Sequence, residues 1–437
     1  LNRVIEKAIR GSAPAQINVP RDYWTQVIDV ELPPIVRFER QGGGKEAIDK
    51  AAKLLSDAKF PVILSGAGVV IGDAISECKS LAEKLDAPVC NGYQHNDSFP
   101  GSHPLAVGPL GYNGSKAAMQ LISKADVVLA LGTRLNPFST LPGYGIDYWP
   151  KDASIIQVDM NPDRIGLTKK VTVGISGDAK LVAKQILEKL SSKAGDTDRQ
   201  KRRDLIHQTK SAWLQKLSSL DHEDDDEGTV WNKEARERDA DRMSPRQAWR
   251  AIQAGMPDDV IISSDIGNNC AIGNAYPTFE KPRKYLAPGL FGPCGYGFPS
   301  ILGAKIGCPD TPVIGFAGDG AFGISMNEMS SCAREEWPAI TMVIFRNYQW
   351  GAEKRNTTLW FDNNFVGTEL DPELSYAKVA DACGLKGVTV RTMEETTNAI
   401  KQSCEDQKKG ITTFIEVILN QELGEPFRRD AMKKPVR

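Results

Sequence analysis

The chain has 437 residues, of which 41% are hydrophobic and 25% are charged, a balance typical of a folded protein with two or three domains. A formal net charge of −2 argues against a nucleic-acid partner, and no apolar stretch reaches the roughly 18 residues that a membrane span requires. Eight scattered cysteines without a CxxC pair, and a charged amino terminus without a signal peptide, favour a cytoplasmic protein with reduced thiols. The four histidines lack the spacing of a zinc site.

The first 45 residues are predicted to contain too little structure to fold alone. Residues 1–22 combine a helical pattern at Arg3 to Ile9 with a predicted strand at Ala15 to Val19, and such a pair cannot bury a core. We therefore expect this segment to be the remnant of an amino-terminal domain that lies ahead of residue 1. Residues 23–45 contain several prolines and glycines and are predicted to be a connector.

Residues 46–190 are predicted to form a central α/β domain. Short apolar strands alternate there with helical patterns, which favours a doubly wound parallel sheet. The predicted strands are Pro61–Ser65, Ala125–Leu131 and Ile155–Val158. Two of them end in small residues, at Gly66-Ala67-Gly68 and Gly132-Thr133-Arg134. Residues 191–244 are dense in charge and are predicted to be a charged linker, and the acidic run at 221–227 within them is predicted to be solvated.

Residues 245–420 are predicted to form a second α/β domain of the same class. Its predicted strands are Val260–Ser263, Pro312–Ala317, Ile340–Arg346 and Thr412–Ile418. Residues 421–437 are rich in basic side chains and are predicted to be an irregular tail.

Oxygen-bearing side chains follow two neighbouring strands of this second domain. One strand runs into Gly318-Asp319-Gly320 and the next along the chain runs into Asn347. Ligands bind beyond the carboxyl ends of parallel strands, so a βαβ crossover can place Asp319 and Asn347 side by side. Hard oxygen donors suit Mg²⁺, and we predict that Asp319, Asn347 and the carbonyl of Gln349 bind it. Gly318, Gly320 and Ala321 would let backbone N–H groups approach a phosphate.

The order and spacing of these residues resemble a known signature. Gly318-Asp319-Gly320, followed after 25 residues by Arg346-Asn347, is similar to the thiamine-diphosphate (ThDP) signature of the acetolactate synthase and pyruvate decarboxylase superfamily. The resemblance implies that Gly267, Asn268 and Asn269 bind the far phosphate, and that the loop containing Gly292 and Cys294 lies under the aminopyrimidine. Two residues depart from the pattern, because Arg346 replaces an Asn and Cys294 replaces a larger apolar residue.

Three longer segments resemble one branch of this superfamily, the sulfoacetaldehyde acetyltransferases. They are residues 93–100, 349–356 and 425–434. The resemblance implies conversion of sulfoacetaldehyde and phosphate to acetyl phosphate and sulfite, a reaction of sulfonate and taurine catabolism. Two small anions must then be bound, and the candidate residues are Lys354 and Arg355, or Arg428 and Arg429. His95, and less strongly His103, are candidates for a loop that reaches the site.

The resemblance also implies where the activating residue lies. In this superfamily a glutamate of the amino-terminal domain activates ThDP, so we expect that residue ahead of residue 1 and assign no catalytic residue within the chain. Two subunits build each site in the family, which implies a homodimer or homotetramer. The isolated chain is expected to be inactive.

Other functions remain open from the residues alone. A related ThDP enzyme, such as an acetolactate synthase-like carboligase or a 2-oxoacid or oxalyl-CoA decarboxylase, would use the same cofactor residues. A dinucleotide-binding oxidoreductase, or a non-catalytic nucleotide-binding subunit, could be built on the glycines of residues 66–72. That glycine pattern is loose, and no acidic residue follows a second strand at the expected spacing.

Overall fold

The computed structural model describes residues 1–32, 34, 39–191, 196–219, 237, 239–289, 291–361 and 363–423. Within these ranges the chain forms two six-stranded sheets whose strand pairs are parallel. The first sheet has the order β3-β2-β1-β4-β5-β6 and consists of β1 (Pro61–Ser65), β2 (Val89–Asn91), β3 (Ala106–Pro109), β4 (Val127–Leu131), β5 (Ser154–Asp159) and β6 (Val173–Ser176). The second sheet has the order β11-β12-β10-β9-β7-β8 and consists of β7 (Ile261–Ser264), β8 (Tyr285–Leu286), β9 (Val313–Gly318), β10 (Thr341–Arg346), β11 (Lys386–Val390) and β12 (Thr413–Ile418).

Helices cover both faces of each sheet, which explains why central strands such as β1, β4 and β10 are continuous apolar runs without alternation. The helices of the first part of the chain are Asn2–Gly11, Lys45–Asp57, Ala67–Ile71, Ile75–Leu85, Lys116–Ile122, Ala179–Lys189 and Asp196–Ser219. Those of the second part are Pro245–Gly255, Asn268–Ile272, Gly297–Gly307, Asp319–Ser325, Met329–Cys332, Gly351–Trp360, Tyr376–Ala382 and Met393–Gln407. None of the helices in the described ranges combines the length and apolar character needed to cross a membrane.

Side-chain caps set several of these helix boundaries. Asp178 accepts the backbone N–H groups of Lys180 and Leu181, so Ala179–Lys189 begins directly after it. Ser244 and Gln247 form a reciprocal capping box at the start of Pro245–Gly255. These local signals place a helix before or after a strand at each crossover of the two sheets.

Each sheet contains a point where the chain, after adding strands on one side of its first strand, adds the next strand on the other side. In the first sheet this point lies between β1 and β4, and in the second it lies between β7 and β9. Loops leave the carboxyl ends of two adjacent strands in opposite directions at such a point, which opens a crevice for ligands. The topology therefore predicts one ligand crevice for each sheet.

The predicted strand at Ala15–Val19 is wrong. The segment has no regular secondary structure, and Ile17 and Val19 are 43% and 45% exposed. Alternating apolar residues need a neighbouring strand to complete their hydrogen bonds, and the described part of the chain offers none beside this segment. It is followed by a short 3₁₀ helix at Arg21–Thr25.

Residues 191–244, predicted to be a charged linker, contain the helix Asp196–Ser219. Ile206 and Trp213 of that helix are buried. Arg202 is also buried, because its guanidinium donates to the carbonyls of Leu85 and Asp86 at 2.7 and 2.9 Å, where helix Ile75–Leu85 ends. Arg202 therefore caps the end of helix Ile75–Leu85, while most of the other described side chains of Asp196–Ser219 are exposed or half-buried. The acidic run at 221–227 lies outside the described residues.

Candidate active site

Asp319 lies at the crevice of the second sheet, directly after β9, and is only 1% exposed. Its Oδ1 accepts the N–H of Gly320 at 3.0 Å, and its Oδ2 accepts the N–H of Tyr348 at 2.7 Å. Oδ2 also accepts Nη1 of Arg346 at 3.0 Å. These bonds join the ends of β9 and β10, so the crossover does bring Asp319 close to the residues around Asn347.

Burial raises the pKa of Asp319 to about 6, against the opposing effects of Arg346 and of the two backbone N–H donors. A carboxyl group with this pKa is mainly ionised at neutral pH. Asp319 can therefore offer a negatively charged oxygen to a cation at the crevice.

Several buried polar atoms at the same edge have no hydrogen-bond partner in the described part of the chain. They are Nδ2 of Asn347, Oε1 of Gln349 and Oδ1 of Asn269. The Asn347, Gln349 and Asn269 side chains are 1%, 3% and 4% exposed. Burying a polar atom without a partner costs about 1–3 kcal/mol, so three of them together indicate a place for a polar ligand. The donor set fits a metal and a diphosphate.

The loop after β7 reaches the same crevice. Gly267 has a φ of 131°, which a residue with a side chain rarely adopts, and this bend turns the chain into helix Asn268–Ile272. A Cβ atom added to Gly351 would lie 3.2 Å from the Cβ of Asn268. The predicted phosphate loop and the segment after Asn347 are therefore in contact.

Asp265 is a further residue of this region that the sequence analysis did not single out. Its carboxylate accepts the N–H groups of Gly295 at 3.1 Å and Gly297 at 2.7 Å, and thereby fixes the loop that contains Gly292 and Cys294. Burial raises the pKa of Asp265, although these N–H donors oppose the shift. The available signal was its position, because it follows an apolar strand as Asp319 does.

The remaining predicted cofactor residues lie around the same edge. Gly292 has a φ of 61°, and Cys294 is exposed with a thiol pKa that partial burial raises. A Cβ atom on Gly318 would meet no atom within 4 Å, whereas one on Gly320 would lie 2.9 Å from the Trp350 ring. Ala321 is buried, 4% exposed, in the first turn of the helix that follows β9.

The two basic residues that follow the predicted metal ligands have different environments. Arg355 is 4% exposed, and its Nη1 donates to Oδ1 of Asn268 at 3.0 Å. Its guanidinium also lies 5.0 Å from the ring centroid of Tyr112, a residue of the first sheet's unit. Lys354 instead forms an ion pair with Glu369, whose side chain is 58% exposed. Only Arg355 is thus buried beside the phosphate loop, while Arg428 and Arg429 lie outside the described residues.

The two candidate histidines lie in the first unit. His95 lines a cavity of about 290 Å³ at the crevice between β1 and β4, together with Gly68, Gly132 and Arg134. Burial, and secondarily the charge of Arg134, lower the pKa of His95 to about 4. His103 contacts Oε1 of Glu83 at 3.2 Å and accepts the N–H of Leu105 at 3.2 Å, so its role here is structural.

Known families and proteins match this architecture along the whole chain. Residues 48–186 match the thiamine pyrophosphate enzyme central domain, and residues 265–417 match the thiamine pyrophosphate enzyme C-terminal TPP binding domain. A probable sulfoacetaldehyde acetyltransferase of Rhizobium meliloti is 80% identical over 100% of this chain and 74% of its own length. This chain belongs to the sulfoacetaldehyde acetyltransferase family. A sulfoacetaldehyde acetyltransferase of Roseovarius nubinhibens is 74% identical over 100% of the chain and 72% of its own length.

Other thiamine pyrophosphate enzymes are more distant from this acetyltransferase-family chain. A probable acetolactate synthase large subunit of Methanococcus aeolicus is 29% identical over 89% of the chain and 65% of its own length. The predicted α/β fold with parallel sheets is confirmed, as is the resemblance to ThDP enzymes. The named relatives and the two family matches together favour a transferase over the dinucleotide-binding oxidoreductase that the glycines after β1 had left open.

Proposed function

We propose that this chain carries the ThDP-binding part of an acetyltransferase that converts sulfoacetaldehyde and phosphate to acetyl phosphate and sulfite. The observation that supports it most directly is the crevice between β7 and β9, where Asp319, Asn347 and Asn269 place buried polar atoms after the carboxyl ends of neighbouring strands. The identity of 80% over the whole chain to a probable sulfoacetaldehyde acetyltransferase supports the substrate assignment.

Each residue of the crevice has a part in this proposal. Asp319, Asn347 and the carbonyl of Gln349 would hold Mg²⁺, which in turn binds the diphosphate. The diphosphate and ring-binding residues would be Gly267, Asn268, Asn269, Gly292, Cys294, Gly318, Gly320 and Ala321. When bound, ThDP supplies a nucleophilic carbon that attacks a carbonyl group and stores the electrons of a broken bond. Asp265 fixes the loop beneath the ring through its bonds to Gly295 and Gly297.

Arg355 is the residue that we assign to a substrate anion. The reaction brings a sulfonate and a phosphate to the same place, and both are oxyanions that a guanidinium recognises well. Arg355 holds its charge in a fixed position, because Asn268 accepts its Nη1 and the Tyr112 ring lies against it. Lys354 and the tail residues Arg428 and Arg429 are weaker candidates, since Lys354 has Glu369 as its partner.

The reaction itself is tested with the full-length enzyme, ThDP and Mg²⁺. We expect acetyl phosphate and sulfite to form in equal amounts, and only when both sulfoacetaldehyde and phosphate are present. Pyruvate is the matched control substrate, because an acetolactate synthase would convert it. Acetolactate formation from pyruvate without acetyl phosphate formation from sulfoacetaldehyde would refute the proposal.

The role of Arg355 is tested by Arg355→Ala beside Lys354→Ala. Loss of a buried charged hydrogen-bonding group costs about 1.5–3 kcal/mol, so we expect KM for sulfoacetaldehyde or phosphate to rise roughly 10- to 100-fold in Arg355→Ala. Lys354→Ala removes an ion pair whose partner Glu369 is exposed, and should change KM less than about threefold. Unchanged KM values for both substrates in Arg355→Ala would exclude it as an anion-binding residue.

We further propose a cytoplasmic homodimer or homotetramer that acts in sulfonate and taurine catabolism. The family relationship supports this assignment, because the ThDP sites of the superfamily are built between subunits. Sedimentation of the full-length enzyme with and without ThDP measures its mass directly. A monomer that retains full activity would contradict the assembly.

A further inference from the structure

The structure gives Arg346 a role that its position in the signature does not reveal. It ends β10, immediately before the candidate ligand Asn347, and its side chain is 1% exposed. A buried guanidinium is strongly disfavoured unless partners surround it. Arg346 has these partners, because Nη1 donates to Asp319, Nη2 donates to the carbonyls of Asp371 and Leu374, and the Tyr348 ring centroid lies 4.2 Å from its Cζ.

Arg346 makes the two carboxylate oxygens of Asp319 unequal. Oδ2 receives both the Arg346 guanidinium at 3.0 Å and the Tyr348 N–H at 2.7 Å. Oδ1 receives the N–H of Gly320 at 3.0 Å. An oxygen that already has a cationic donor and a second N–H donor is a poor metal ligand, so a cation would bind Asp319 through Oδ1.

Binding through one oxygen suits some cations better than others. Mg²⁺ requires a near-ideal octahedron and takes single carboxylate oxygens, whereas the larger Ca²⁺ accepts both oxygens of one carboxylate and more ligands in total. We propose that Arg346 is a positioning residue that makes Asp319 a one-oxygen ligand and thereby favours Mg²⁺ over Ca²⁺ at this site. This inference rests on the proposed function, since it requires a metal at Asp319.

The design of a test depends on Glu416, the second carboxylate near Arg346. Its Oε1 lies 3.7 Å from Nε of Arg346, and its side chain is 2% exposed. Replacing Arg346 alone would leave Asp319 and Glu416 as two buried carboxylates without their shared cation, which can prevent folding. The double variant Arg346→Asn with Glu416→Gln avoids this, because it removes one positive and one negative charge together.

The experiment measures dissociation constants of Mg²⁺ and Ca²⁺ in the full-length enzyme with saturating ThDP. Tryptophan fluorescence is a suitable signal, because the Trp350 ring packs against Gly320 beside Asp319. We expect the preference for Mg²⁺ over Ca²⁺ to fall about tenfold in the double variant, the usual size of an outer-shell effect on a metal. The single variant Glu416→Gln keeps Arg346 on Asp319 and should retain the wild-type preference.

A purely structural role would give a different result. Loss of packing alone would weaken both cations by the same factor, so an unchanged ratio in the double variant overturns the inference. The wild-type enzyme supplies a second test that needs no variant, because tighter binding of Ca²⁺ than of Mg²⁺ also overturns it. If the wild type shows no ThDP-dependent cation binding at all, it is the proposed function that fails.

Lys386→Met is a control for destabilisation at a position remote from the candidate metal site. Lys386 forms an ion pair with Asp406 at 2.6 Å, on β11 at the far edge of the sheet. We expect this variant to leave both dissociation constants within about twofold of wild type, because its ion pair is partly exposed and does not contact the crevice. A change in the cation preference of this variant would show that the ratio responds to general destabilisation, and would overturn the inference.

Discussion

The two sheets have their crevices at equivalent points of the topology but fill them differently. Between β1 and β4, backbone packs on backbone, since a Cβ atom on Gly68 would lie 2.6 Å from Cα of Gly132. Beside that contact a cavity of about 290 Å³ is left. Between β7 and β9 the space contains buried charge instead, with Asp319 and Arg346 both 1% exposed.

The difference separates what the sheet topology provides, a crevice, from what individual side chains provide, its chemistry. The reversal of strand order opens a crevice in both units, because it is a property of chain path alone. The chemistry depends on the first residues after the strands at the crevice, which are glycines after β1 and β4 of the first sheet. In the second they are acids and amides, such as Asp265, Asp319 and Asn347. Variants at equivalent strand ends of the two sheets can therefore distinguish residues that shape a crevice from residues that bind a ligand there.

The largest contrast is expected between Asp319→Asn and Asp159→Asn. Asp159 ends strand β5 and Asp319 directly follows strand β9, but only Asp319 belongs to the candidate metal site. We expect Asp319→Asn to weaken Mg²⁺ binding at least about 100-fold, beyond the usual effect of an outer-shell change. Asp159→Asn, which loses a carboxylate that accepts the N–H of Asn161 at 2.9 Å, should leave it unchanged. Titration of Mg²⁺ with saturating ThDP measures the dissociation constants of both variants. Equal effects would show that Mg²⁺ binding does not depend specifically on the second crevice.

The next contrast uses glycine, and compares Gly132→Ala with Gly318→Ala. Gly132 has a φ of 61° and no room for a Cβ atom, which would lie 2.7 Å from Cα of Gly68. Gly318 has a φ of −69° and no atom within 4 Å of a Cβ position. We expect Gly132→Ala to destabilise the protein by about 3 kcal/mol, and Gly318→Ala to change stability by less than about 0.5 kcal/mol.

The effects of these two variants on ThDP affinity should have the opposite order to their effects on stability. An added methyl at Gly318 would push against the diphosphate, so we expect ThDP affinity to fall about tenfold in Gly318→Ala. Gly132→Ala should bind ThDP normally in its folded fraction. Urea denaturation and ThDP titration measure the two properties separately. Normal ThDP affinity in Gly318→Ala would show that Gly318 does not contact the diphosphate.

The last prediction concerns the contribution of His95, beside the first crevice, to the pH dependence of stability. The pKa of His95 is about 4 in the folded protein, below its ordinary value of about 6.5. The unfolded chain therefore binds more protons between these values, so stability is complete above about pH 6.5 and declines as the pH falls towards 4. We expect His95→Gln to remove about 2 kcal/mol of this decline between about pH 7 and pH 4.5.

Urea midpoints of wild type and His95→Gln at the two pH values test this prediction. His103→Gln is the matched control, since His103 contacts Glu83 and lies away from the cavity. An identical pH dependence in wild type and His95→Gln would mean that the pKa of His95 is the same in the folded and the unfolded state, against the direction of its pKa shift.

Strand prediction from the sequence succeeded where strands are long and buried. β1, β4, β9, β10 and β12 lie within two residues of their predicted bounds, because a continuous apolar run flanked by glycine or acid is a local signal. β2, β3, β6, β8 and β11 were not predicted. The first four have only two to four residues, too few to show a pattern, and β11 is a mostly half-buried edge strand without a continuous apolar run. Their existence depends on pairing with a neighbour that is remote along the chain.

The candidate site likewise has residues whose proximity the sequence predicted and residues whose contacts it did not. The Gly-Asp-Gly turn and the following Asn are strand-end features, so their order along the chain was enough to predict that they meet. The burial of Arg355 was not predictable, because its partners Asn268 and Tyr112 come from distant elements, one of them in the other unit. The domain bounds and the assigned ligands stay predictions that the experiments above address.

For this chain, the sequence alone determined the two parallel α/β units and the position of Asp319 after β9, because periodicity and strand-end residues are local properties. The cofactor class followed from the resemblance of these strand-end residues to the ThDP signature. Only the tertiary structure decided that Arg346 occupies one oxygen of Asp319, that Asp265 fixes the loop beneath it, and that Arg355 is buried. These contacts join residues tens of positions apart. Their geometry follows from how helices and strands pack, which no local pattern records.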